Sequence, residues 1–248
     1  MKNILKIMLM MITIFTIAGS AVYAAEIPVS DQDQLITSSD WTEISNLQDE
    51  MKKEEPDATI DYDKALKVYV DCNLIKLQTA DTKKLTSALE SANYVWVIPF
   101  KMEKTYGMFT VAKGLPLSEE AKSVLTKAEQ EEVKNHAGKW MITETAEHTV
   151  EPYYDILLEK REALSDCTRV VLVGSQPGMR QPVALGMDDE TARIWISLGY
   201  QYPVMEKIPE TQNVESGVYS FDSVAEISDT YIEDSEVSTG AGVQSRSS

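Results

Sequence analysis

The chain has little of what most chemistries need. Its 248 residues include two histidines and two cysteines. Neither pair has metal-ligand spacing, since there is no Cys-x-x-Cys and no His-x-x-x-His, so a metal site is not expected. Among 11 glycines there is no phosphate-cradling loop, Walker motif or dinucleotide fingerprint, so no cofactor is expected. No acidic run follows the spacing of an EF-hand loop. Basic residues are scarce too, 23 against 40 acids for a net charge of −17. That balance disfavours nucleic-acid phosphates and anionic membrane surfaces as partners. Beyond residue 24 no apolar run approaches the roughly 20 residues a membrane-spanning helix requires.

What is present at the N-terminus points to export. Lys2 and Lys6 precede the apolar run from Ile7 to Ala18, and Val22-Tyr23-Ala24 ends in a small residue. This is the pattern of a secretory signal peptide over residues 1–24, cut after Ala24. A secreted, extracellular chain with no membrane insertion after cleavage is the expectation.

The negative charge is concentrated in two flanks, 12 acids against 3 bases over residues 25–65 and 9 against 2 over residues 206–248. Residues 25–58 lack a sustained apolar period and read as an acidic, largely disordered flank. Within it Trp41, Ile44, Leu47 and Met51 recur at helical spacing, which allows a short amphipathic helix docked on the domain. Residues 206–248 end in a Ser-, Thr- and Gly-rich stretch and read as a disordered tail.

Residues 59–205 suit one domain with a single core. Leu66 to Leu74 alternates apolar and polar positions as a half-buried strand, and Leu85, Ala88, Leu89 and Ala92 form the apolar stripe of a helix. Tyr94–Phe100 and Tyr106–Lys113 flank a short link and predict a β-hairpin. One long helix is expected from Ser118 to Gly138, then a strand from Trp140 and a helix over residues 151–164. Thr168–Val173 and Pro182–Met187 predict a second hairpin, with a last strand over Thr191–Leu198. The order suggests two tandem β-α-β-β units. Together these elements imply an α+β fold, a mostly antiparallel sheet with helices on one face.

Several residues are candidates for function. In an oxidising compartment Cys72 and Cys167 could close a loop of about 95 residues, worth roughly 4 kcal/mol in the chain-entropy model. Two buried thiols are the alternative. A hydrolase would need Ser175, at the end of a buried strand, or the acids near Asp188 (Asp189 and Glu190 beside it), with His148 as base. Ser175 lacks the G-x-S-x-G elbow, and Asp188 and Asp189 fit a turn. No catalytic residue is therefore assigned. Trp195, with neighbours Arg193 and Ser197, reads as a partly wet aromatic that could form a ligand-binding shelf with Tyr200 and Tyr202. The expected function is thus non-catalytic binding of an extracellular protein, peptide or glycan. The alternatives are a hydrolase of unfamiliar type and a surface assembly module pairing through the edge after Thr191.

Overall fold

Apolar side chains on both sides of Tyr94–Lys101 require cover on both sides. In the computed structural model, which describes residues 27–148, 151–174, 176, 181–199 and 217–226, this strand lies inside a nine-stranded sheet. The strands are β1 (Thr59–Ile60), β2 (Leu66–Tyr69), β3 (Tyr94–Lys101), β4 (Tyr106–Lys113), β5 (Trp140–His148), β6 (Arg169–Val173), β7 (Val183–Met187), β8 (Ala192–Ser197) and β9 (Val218–Ser220). Their order is β5-β4-β3-β2-β6-β7-β8-β9, and β1 pairs with the far end of β3. Among the described strands only β2 and β6 pair in parallel. The fold is α+β with a mostly antiparallel sheet, as its alternating patterns imply.

The hairpin of β3 and β4 sets the register of one half. Phe100 pairs with Gly107, and its ring lies where a side chain at residue 107 would stand, 2.1 Å from an added Cβ. Glycine is required there for close approach.

Two antiparallel meanders, β2 to β5 and β6 to β9, run outward from the β2/β6 junction. This replaces the expected tandem units. In a tandem repeat β5 would pair with β6, as β2 pairs with β3, but β5 pairs along β4 instead. Composition explains the choice. The last four residues of β6 are buried, as a central strand demands, whereas β5 exposes Thr143, Glu144 and Glu147, which suit an edge. The proposed assembly edge after Thr191 is also corrected, because β9 covers β8.

Helices α1 (Trp41–Ile44), α2 (Gln48–Glu54), α3 (Thr82–Ser91), α4 (Glu119–Val124), α5 (Lys127–His136) and α6 (Tyr153–Glu159) complete the described fold. Asp81 caps α3 by accepting from the N–H groups of Lys83 and Lys84, and Leu85 and Leu89 then pack on Tyr69, Val171, Leu185 and Trp195. On the same sheet face α1 and α2 cover Trp96, Ile98, Phe100 and Phe109. The expectation of helices on one face alone fails at α6, whose Leu157 packs with Val170, Leu172 and Ala184 on the opposite face. The single long helix after Ser118 is broken. Thr126 and Glu129 form a reciprocal capping box that starts α5 afresh, and satisfying those N–H groups competes with continuing the helix.

Both flanks are corrected in part. Residues 27–58 are folded onto the domain, with Leu35, Ile44 and Met51 wholly buried. The chain from Pro28 to Leu35 fills the gap where β2 and β6 begin: the N–H of Val170 donates to the carbonyl of Pro28 at 2.7 Å, and that of Leu35 to Ala65 at 3.2 Å. Asp33, 2% exposed, lies 3.0 Å from Arg169 and accepts from the Tyr69 hydroxyl at 2.7 Å. At the other end, residues 217–226 supply β9 and a helical turn, burying Tyr219, Phe221 and Val224. The rest of the predicted tail, and the signal segment, lie outside the described residues.

The two cysteines are unbridged and buried. Cys72 packs with the α3 side of the sheet and Cys167 with the α6 side, so the sheet itself separates them and the disulfide reading is corrected. Burial pushes both thiols up to about 11.

Two outcomes are expected. Asp33→Ala strands the Arg169 guanidinium in a site from which water is largely excluded, and costs about 3–5 kcal/mol in urea unfolding with an unchanged m-value. A thiol-reactive dye at neutral pH labels the native chain slowly and titrates both cysteines only after denaturation.

Candidate functional site

Strands β2 to β5 carry α1 and α2 on one side. On the other side α6 packs in one cluster with Val68, Val97 and Met108 as well as with Val170, Leu172 and Ala184, and leaves part of the β2 to β5 surface open. A groove of about 350 Å³ remains. Its floor is built by strand alternation: Val68 and Val70, Val95 and Val97, and Met108 and Thr110 point to the same face from three adjacent strands. Glu144 and Ala146 extend the floor onto β5 by pairing with Thr110 and Met108. Tyr153, Gln181 and Pro182 form the opposite rim.

Local sequence explains this shape. Pro152, at the N-cap position of α6, turns the chain so that only the first residue of the helix reaches the groove. Val70 and Val95 are half-buried, so the apolar floor remains accessible. The Tyr153 phenol is pushed up to about 12, mainly by burial and then by the Glu144 carboxylate. The site therefore offers an apolar bed, one neutral phenol and one carboxylate, a set suited to holding a ligand.

Trp195, Asp188 and Asp189, singled out from the sequence, do not line the groove. Trp195 is wholly buried on the other sheet face, stacked on Phe221 with ring centroids 5.6 Å apart. The partly wet reading is corrected, because β9 and the helical residues after it cover the strand that carries Trp195. Tyr200 and Tyr202 lie outside the described residues. Asp188 acts as a turn anchor, accepting from the N–H groups of Glu190 and Thr191 at 2.8 and 2.6 Å and from Arg193 Nε at 2.6 Å. Those backbone donors, with Arg193, hold its carboxyl below the usual range. Asp189 accepts from the Thr168 hydroxyl.

His148 ends β5, opposite Tyr106, and four strands separate β5 from β7. That is about 24 Å across the sheet at the usual strand spacing, so the end of β5 and the Asp188 turn stand far apart. Ser175 lies outside the described residues, and His136 is exposed at the end of α5. Among the described residues no group of three or more His, Cys, Asp or Glu side chains could hold a metal ion, and no helix is long and apolar enough to cross a membrane.

Sequence reading missed Val70, Val95 and Glu144 as site residues. The available signal was the apolar character of both faces of β3, which shows that cover is wanted but not which half-face is left without it. No family model, curated protein or solved structure matches the chain.

The raised phenol has a consequence in alkali. A folded-state pKa above the ordinary value of 10 means that Tyr153 favours folding below pH 10 and loses that contribution as pH rises towards 12. Phenolate absorbance, taken as the difference between the wild-type chain and Tyr153→Phe, should show this late titration. Glu144→Gln should shift it to lower pH.

Proposed function

We propose that the chain is an exported, non-catalytic domain that binds a partner polypeptide outside the cell, taking an extended apolar segment bearing a basic residue into the groove. Export rests on the pattern of Lys2 to Ala24. The observation that carries the binding reading is the accessible apolar bed of Val70, Val95 and their neighbours beside Glu144. Its volume of about 350 Å³ falls at the lower end of the roughly 300–1,000 Å³ typical of ligand sites. That is room for a few side chains.

Charge narrows the ligand. Glu144 is the one charged residue among the described residues lining the groove, and the chain as a whole carries −17. Both favour a cationic group at the groove's edge. A peptide is favoured over a glycan here because Tyr153 is the sole aromatic among the described lining residues, and valine floors match branched apolar side chains better than sugar hydroxyls. Hydrolysis has less support, because Asp188 is held in its turn by Glu190, Thr191 and Arg193.

Panning the purified full-length chain against a random peptide library tests the reading. Enriched peptides should combine branched apolar residues with Lys or Arg. Val95→Asp and Glu144→Lys should each weaken their binding by about tenfold or more, with the unfolding midpoint little changed. Peptides that bind Val95→Asp as tightly as the wild-type chain would overturn the groove as the site.

A further inference from the structure

A second concavity, independent of the groove and on the opposite sheet face, lies where the N-terminal segment meets β1. Its volume is about 400 Å³. Ile36, Trp41, Ile60 and Tyr62 give it an apolar wall, and Asp61, Asp63 and Lys101 stand around that wall. Trp41 and Tyr62 meet edge to face with ring centroids 5.2 Å apart. Both rings are half-buried: one side packs on the core that α1 and α2 build, and the other side faces the cleft.

The wall is held in place. The Tyr62 hydroxyl points inward, 3.7 Å from Met51 Sδ. The N–H of Asp61 donates to the carbonyl of Pro99 at 2.9 Å, tying this segment to β3. Ile36 is 38% exposed, among the few large apolar residues left so open. Asp63 makes no hydrogen bond or ion pair with the other described residues, whereas Asp61 is 3.7 Å from Lys64.

We infer that this cleft binds an uncharged oligosaccharide. Fixed aromatic rings offer an apolar platform for the C–H face of a pyranose. The carboxylates accept from pairs of hydroxyls at the sugar's edge, and charge-assisted hydrogen bonds of this kind are the stronger ones. Two carboxylates against one lysine disfavour uronic or sulfated sugars by like-charge repulsion.

Tryptophan fluorescence reads the site directly, because Trp96, Trp140 and Trp195 are buried and Trp41 is the half-exposed one. The full-length chain is titrated with chitotetraose, with cellotetraose and, as an anionic control, with tetragalacturonate. A saturable change with at least one neutral oligosaccharide, and none with tetragalacturonate, is expected. Trp41→Ala, followed calorimetrically, should weaken binding by about tenfold or more. Asp63→Asn alters an exposed carboxylate outside the core, so the fold is kept, and it should weaken binding in the same direction. Absence of saturation with both neutral sugars overturns the inference. So does preference for tetragalacturonate, or unchanged affinity in Asp63→Asn together with Trp41→Ala. Because peptide binding in the groove is measured separately on Val95→Asp, the two readings can fail independently.

Discussion

The fold depends on one buried carboxylate. Strands β2 and β6 pair in parallel only through Val68 with Leu172 and Tyr69 with Val173. Continued towards their starts, the register would place Leu66 beside Val170, but those residues are bridged instead by Gln34 and Val29. The N-terminal segment is therefore wedged between the two meanders, and Asp33 anchors it. Arg169 from β6 and the Tyr69 hydroxyl from β2 both reach that carboxylate, and Ser30 donates to it at 2.6 Å. A buried charge is tolerable when it is paired and its remaining lone pairs are used. Here the partners come from three separate parts of the chain, so satisfying the charge also fixes how the halves meet.

The polar belt continues beside this anchor. Lys67 lies 4.0 Å from Asp33 and sits over the rings of Tyr94 and Trp96 at 4.4 and 5.3 Å. Burial lowers its pKa despite the nearby carboxylates of Asp33 and Asp40. Asp40 in turn accepts from the Tyr94 hydroxyl at 2.8 Å and from Trp96 Nε1 at 3.0 Å. These contacts secure an acidic segment that would otherwise have little reason to leave water. Its aspartates at 33 and 40 find their cations and phenols on the sheet, while Leu35, Ile44 and Met51 supply the apolar burial.

Cover is unevenly shared between the two sheet faces. The N-terminal segment spends Leu35, Ile44 and Met51 on the face that carries Trp96 and Phe100, and α3 with the residues after β9 fills the rest of that face. On the other side α6, with Ile27 and Val29, packs against Leu66, Val68, Val97, Val170, Leu172 and Ala184, and the described residues leave Val70 and Val95 half-buried. The groove over β2 to β5 is what that distribution leaves open. The Trp41 and Tyr62 cleft arises differently, at the seam where the wedged segment ends against β1. Both concavities follow from how the N-terminal chain is used.

The amino-acid sequence by itself determined the elements whose causes are local. Alternation gave the hairpin of β3 and β4, the stripe of Leu85 and Leu89 gave α3, and Asp188 was legible as turn chemistry because its partners are two and three residues away. The α+β class followed from those periods. Where the cause is a partner distant in the chain, only the tertiary structure decided. Asp33 looked like one more acid in a solvated flank until Arg169 was placed 136 residues away beside it. Trp195 looked partly wet beside Arg193 and Ser197 until β9 and Phe221 closed over it. Cys72 and Cys167 were separated by a sheet whose strand order no period reveals. The groove belongs to the same class, since a valine on a strand asks for cover, and which valines go without it depends on how many helices there are and where each one lands.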